Sequence, residues 1–283
     1  MKKNKVKYFF LSFLPILLCF GLQFLISIPF IEIIILRVIT SGQSNLLEVL
    51  PESLLENLSN TNFTGGISFA FAIANIIIFG IWYRKISTRY LSREHKAFSI
   101  RSNGVLILLS IVIYYSSNYV TMITSTIFPN AMDYYNNLID TSGLVGSNIS
   151  VLMIIYALFL GPIGEELIFR GVTLSYARMA LPFWLANLMQ AALFGVLHAN
   201  LIQGVYAFVI GLFLGYIRHD SGTIRASIHL HIMFNIVGLL VSPYLPHYSG
   251  SSLFLNIIIL VAVFFVALLL CRWFHKSKHP SRR

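Results

Sequence analysis

The sequence predicts an all-α fold: a polytopic helical membrane protein with about eight transmembrane helices. Three observations predict it. The 283 residues are 57% hydrophobic and only 11% charged, with a mean hydropathy of +0.78, more apolar surface than a water-soluble chain of this length can cover. The apolar residues come in continuous runs of about twenty, enough to cross the hydrocarbon core as a helix, and not in the two-residue alternation of a barrel strand. The cations, finally, gather between alternate runs. Because only helices and closed barrels satisfy the backbone in lipid, residues 1–283 are expected to form a single membrane domain.

The first run, Tyr8 to about Leu36, follows the basic stretch MKKNKVK. It is too long for a signal peptide and lacks a clean small-residue cleavage site, so it reads as an uncleaved first helix. The outer loop 37–66 carries Glu48, Glu52 and Glu56 and is expected to form a short surface helix. Spans follow at about 67–83, 104–128, 149–172, 183–200, 201–217, 223–241 and 252–271. Between the second and third spans lies the basic loop RKISTRYLSREHK (84–96), whose charge suits anionic lipid head groups. The Asn-, Asp- and Ser-rich loop 129–148 reads as irregular.

Charge sets the orientation. With the N-terminus in the cytoplasm, segments 1–7, 84–103, 170–182, 218–225 and 272–283 face inward and hold 4, 6, 2, 2 and 5 Lys or Arg, 19 of the 20 in the chain. Only Arg37 falls outside, so the positive-inside rule places both termini in the cytoplasm. The net charge of +10 is thereby explained as topology, not as a nucleic-acid footprint. Cys19 and Cys271 both fall in spans and suggest neither a disulfide framework nor a zinc cluster. The short inner loops and the N-terminal pattern suit a bacterial cell membrane.

The informative residues are the ionisable ones inside spans, which default to a functional reading. GPIGEELIFRG (161–171) places Glu165, Glu166 and Arg170 on the fourth span. Glu166 and Arg170 are i,i+4 and can pair, which leaves Glu165 without a sequence-local partner and available as a general base. His198 ends the fifth span. His231 and Asn235, again i,i+4, project side by side from the seventh, while His229 points to a nearly opposite face. Glu165 lies 16 residues before Leu181 and His198 lies 17 after it, so both sit about 24–26 Å along their helices from the turn and should face each other. His231, about 15 Å past the turn near Ser221, fits that level less well.

A glutamate, two histidines and an asparagine around one cavity suit amide hydrolysis. Glu165 would take a proton from water, His198 would share or relay it, and His231 and Asn235 would stabilise the oxyanion. No Ser or Cys stands in a nucleophile motif. The competing scheme is a zinc site with Glu165, His198 and His231 as ligands, although no H-E-x-x-H helix is present and Asn235 is a poor zinc ligand. The reading preferred on these residues requires no cofactor, with zinc as the alternative. Glu166–Arg170 also reads as a structural intramembrane pair, Phe194 as packing that fixes His198, and Gly211 with Gly215 as a close helix contact. The catalytic core is expected to be four helices within 149–241.

Taken together, EELIFR (165–170), FGVLH (194–198) and HIMFN (231–235) resemble the CPBP family of intramembrane proteases. That family includes type II CAAX prenyl endopeptidases and bacterial bacteriocin-processing or abortive-infection (Abi) proteins. The resemblance covers about 160–240 and rests on the combination, since EExxxR alone would be weak. It implies an intramembrane endopeptidase with Glu165 as catalytic glutamate, His198 as its partner in activating water, His231 and Asn235 as oxyanion stabilisers, and Glu166 and Arg170 as supporting residues. The family is often labelled metalloprotease. The substrate does not transfer: a membrane-associated protein or peptide in the lipid bilayer is expected, and no nucleic acid. A different class of reading is a non-catalytic membrane immunity or regulatory protein, which would need no catalytic glutamate. A proton-coupled transporter is weaker, since no inverted repeat is visible.

Overall fold

A computed structural model describes residues 2–41, 46–90, 100–144, 149–245 and 252–278. Among these there is no strand, and the helices run α1 (Lys2–Leu11), α2 (Leu14–Thr40), α3 (Leu46–Ser59), α4 (Thr61–Tyr90), α5 (Ile100–Ile127) and α6 (Pro129–Thr141). Then follow α7 (Val151–Ala180), α8 (Phe183–Leu197), α9 (Leu201–Ser221), α10 (Ile224–Tyr244) and α11 (Leu253–Lys278). Among the described residues seven stretches are long and apolar enough to cross a membrane, α1 and α2 together counting as one. The chain is a membrane-integral helical protein.

The count of seven corrects one expected span. The stretch 183–200 yields only the 15-residue α8, about 22 Å long at 1.5 Å per residue and short of a ~30 Å hydrocarbon core. The loop 37–66 does form the expected short helix, α3. Within the loop 129–148, expected to be irregular, residues 129–141 form α6, which Pro129 starts at a position where its missing N–H costs nothing. Residues 91–99 of the basic loop, and His247 and His279, lie outside the described residues. Two cations assigned to inner loops are buried: Arg170 within α7 and Arg218, which donates to the Tyr83 hydroxyl at 3.3 Å. His219 and His275 are exposed yet engaged, His219 stacking on Phe183 and His275 pairing with Asp220 at 2.5 Å.

Two larger apolar cores and a small one of Leu174, Ala177 and Ala186 hold the bundle among the described residues. One joins α5, α9, α10 and α11 through Leu109, Leu214, Leu230 and Phe274. The other joins α2, α4, α7 and α8 through Cys19, Phe79, Phe169 and Phe194. Ala207 of α9 and Ile224 of α10 also belong to the second core, so these helices link the two, and Glu166 and Arg170 of α7 reach α10 and α9 respectively.

The α8–α9 hairpin is closely packed through glycines. A Cβ on Gly195 would meet the Gly204 carbonyl at 2.6 Å, and one on Gly211 would meet Ala191 at 3.0 Å. At Gly215 it would overlap Asn187 Oδ1, which is not free to move: it accepts from Gln190 Nε2 at 2.8 Å while Asn187 Nδ2 donates to the Leu212 carbonyl at 3.0 Å. The expected small-residue contact is therefore present, with a polar seam inside it. Gly215→Ala is expected to cost about 1–3 kcal/mol by overpacking; an unchanged melting temperature of the purified variant would show that the seam yields freely.

Candidate active site

Helix α7 is not a regular α-helix. Two π-helical segments, Tyr156–Leu160 and Leu167–Thr173, flank the α-helical turn Gly161–Glu166 that carries both glutamates. Such segments are rare and concentrate at functional sites. The first has a local cause. The Gly161 amide bonds back to the Tyr156 carbonyl, and the next donor in that pattern would be Pro162, which has no N–H. The Ala157 carbonyl is thereby left for another partner, and Asn235 Nδ2 of α10 donates to it at 2.7 Å. One proline in α7 thus fixes where the α10 asparagine sits.

The Glu166–Arg170 pair forms as the spacing predicts, at 2.8 Å with both side chains fully buried. Its role is wider than the sequence showed. Glu166 Oε1 also lies 3.1 Å from His231 Nδ1, so one carboxylate oxygen ties α7 to α10. Donation from Nδ1 to a carboxylate settles the ring orientation and turns Nε2 towards Glu165, whose Oε2 is 3.7 Å away. Arg170 in turn reaches the Gly211 carbonyl at 3.4 Å and lies over the Phe194 ring, its Cζ 4.4 Å from the centroid. Phe194 meets both imidazoles edge-on, with centroids 4.9 Å from His198 and 5.8 Å from His231.

His198 caps α8. Its Nδ1 contacts the Phe194 carbonyl at 2.9 Å, so the ring presents Nε2 outward. The chain reverses at once through Ala199, which takes the left-handed conformation at φ +53°. A non-helical turn at membrane depth needs protein partners for its backbone, and Asn200 supplies them. Its Nδ2 donates to the His198 carbonyl at 3.1 Å and its Oδ1 accepts from the Gln203 amide at 2.7 Å, capping α9. Asn200 was not singled out from sequence, although an Asn directly before an apolar helical run is a capping signal.

Glu165, His198, His231 and Asn235 line one cavity of about 520 Å³, together with Tyr156 and Tyr206. Glu165 retains 20% side-chain exposure there, against none for Glu166. His229 lines neither this cavity nor its neighbour. The residues named as zinc ligands share the space without converging: among the described residues no group of three His, Cys, Asp or Glu side chains is arranged to hold a metal ion.

The fold and this site define a class: a polytopic helical membrane protein whose carboxylates, imidazoles and amide meet between spanning helices. Comparison narrows it. Residues 147–237 match the family model described as Type II CAAX prenyl endopeptidase Rce1-like, which agrees with the resemblance carried by the three motifs. The chain is 31% identical over 84 residues to YdiL of Bacillus subtilis (strain 168), named as a candidate membrane peptidase, covering 30% of this chain and 34% of the relative. It is 30% identical over 95 residues to an uncharacterized 24.3 kDa protein of Escherichia coli, covering 32% of this chain and 44% of the relative. The chain thus spans well under half the length of these curated relatives. No solved structure matches it.

Proposed function

We propose that the protein is a CAAX-type intramembrane endopeptidase that hydrolyses a peptide bond in a membrane-associated protein or peptide. The observation that carries this reading is the meeting of Glu165, His198, His231 and Asn235 around one cavity, from three motifs spread over 71 residues of sequence. Glu165 takes a proton from water as the water oxygen bonds to the scissile carbonyl carbon. The resulting oxyanion accepts hydrogen bonds from Asn235 and from His231 Nε2, donors that count most where water is excluded. Since His231 Nδ1 faces the Glu166 carboxylate, donation from Nε2 requires the doubly protonated ring. The C–N bond then breaks, and the leaving nitrogen receives the proton from Glu165 through His198. The products are a carboxylic acid and an amine, which exchange the remaining proton to leave a carboxylate and an ammonium.

Glu166 and Arg170 act at one remove, holding His231 at the cavity wall. The substrate is met from within the bilayer. The test compares peptide N-termini in membranes carrying the wild type with those carrying His198→Ala, each with and without a chelator. New N-termini that need His198 and persist with chelator are expected. Loss of those termini with chelator, restored by added zinc, would replace the metal-free scheme, and an absence of new termini would overturn the peptidase reading.

A further inference from the structure

A second cavity of about 160 Å³ adjoins the first. Glu165, His198, Tyr156, Gly161 and Gln203 line both, while His231 and Asn235 line only the larger. The proposed proton-transfer pair is thus the shared wall, and the proposed oxyanion donors stand on one side of it. The far side of the smaller cavity is built by Cys19 and Gln23 of α2 and by Asn75 of α4, all outside the matched segment 147–237.

Asn75 is the telling residue. It is 2% exposed, and its Oδ1 has no hydrogen-bond partner among the described residues. A buried carbonyl oxygen left unsatisfied is costly, and in a helix reading FAIANIIIFG (71–80) nothing about packing calls for an amide. It lies against α7 beside Gly164, one residue before Glu165: an added Cβ there would be at van der Waals distance, 3.5 Å, from Asn75 Cβ. At about 30 Å³ per water the smaller cavity has room for a handful of molecules. It is too small for a peptide segment, which the larger cavity can take.

We propose that this smaller cavity is the water chamber of the site, and that Asn75 binds the water that Glu165 deprotonates. Resting on the peptidase reading, the inference adds a division of labour: substrate occupies the His231/Asn235 side, and water arrives from the α2/α4 side. Asn75 Oδ1 accepts one O–H of the water, Glu165 takes the proton of the other, and the oxygen lone pair faces the shared wall.

The test has two arms on the full-length protein in lipid nanodiscs. The first is a density map that resolves ordered water; a molecule within about 2.7–3.2 Å of Asn75 Oδ1 is expected, and a dry chamber overturns the inference. The second compares Asn75→Leu, which fills the space with an apolar group, with Asn75→Ser, which keeps an acceptor and leaves room for water. On a substrate that the wild type cleaves and Glu165→Gln does not, Asn75→Leu is expected to lower kcat at least tenfold with KM unchanged. Asn75→Ser is expected to stay within several-fold of wild type. Wild-type turnover by Asn75→Leu overturns the water chamber and leaves the peptidase reading standing. Absence of cleavage by the wild type overturns that reading instead, and the density arm still judges the chamber. Melting temperatures of both variants separate misfolding from loss of water.

Discussion

Glu165→Gln is expected to abolish cleavage while leaving the fold intact. The substitution keeps shape and polarity and removes only the ability to accept a proton, a function worth roughly 10²–10⁴-fold in rate. Stability should change little, because among the described residues Glu165 makes no hydrogen bond, its Oε2 comes only within 3.7 Å of His231 Nε2, and its side chain keeps 20% exposure towards the cavity. A melting temperature within about 4 °C of wild type, equivalent to ~1 kcal/mol in a chain of this size, together with at least a hundredfold loss of turnover, is the expected pair of results. A large drop in melting temperature would instead make Glu165 a structural residue.

Arg170→Leu is expected to give the opposite profile, with stability lost first. Arg170 is fully buried, 2.8 Å from Glu166, and packed on Phe194. Removing one partner of a buried pair strands the other charge and costs about 3–5 kcal/mol. Glu166→Gln combined with Arg170→Leu removes both charges together, so the double variant should melt above the sum of the two single losses. Because Glu166 Oε1 also holds His231 Nδ1, the variants that do fold should lose activity through a misplaced imidazole. Melting curves of the two single variants and the double one settle this; an Arg170→Leu protein that melts with wild type would show that the pair contributes nothing.

Much of this arrangement was legible in sequence because the signals were local or charged. Hydropathy marked the spanning stretches, and i,i+4 spacing gave Glu166–Arg170. The depth argument brought Glu165 and His198 to shared cavities. What stayed hidden depended on contacts distant in sequence. Nothing near Glu166 announces that its second partner lies 65 residues away, and nothing near Asn235 shows that its amide fills a carbonyl orphaned by Pro162. The π segments made depth by residue count inexact for α7, and α8 stopped short because its hairpin turns on Ala199 and Asn200 within the bundle. Helix α6 was missed because its Asn and Asp content has weak helix propensity. Its signal was the half-buried series Met132, Tyr135 and Ile139 at helical spacing behind Pro129, with Tyr135 meeting the Tyr206 hydroxyl at 3.4 Å. Asn75 was passed over as one amide in an apolar helix, although an uncharged polar residue at depth carries the same kind of message as a charge.

The account stands most directly on one measurement: mass spectrometry of peptide N-termini after one batch of membranes is treated with purified wild-type protein or with Glu165→Gln. The account predicts new N-termini within membrane-associated proteins for the wild type and none above background for the variant. The same set of termini from both would contradict it, because Glu165 would then have no part in breaking the bond.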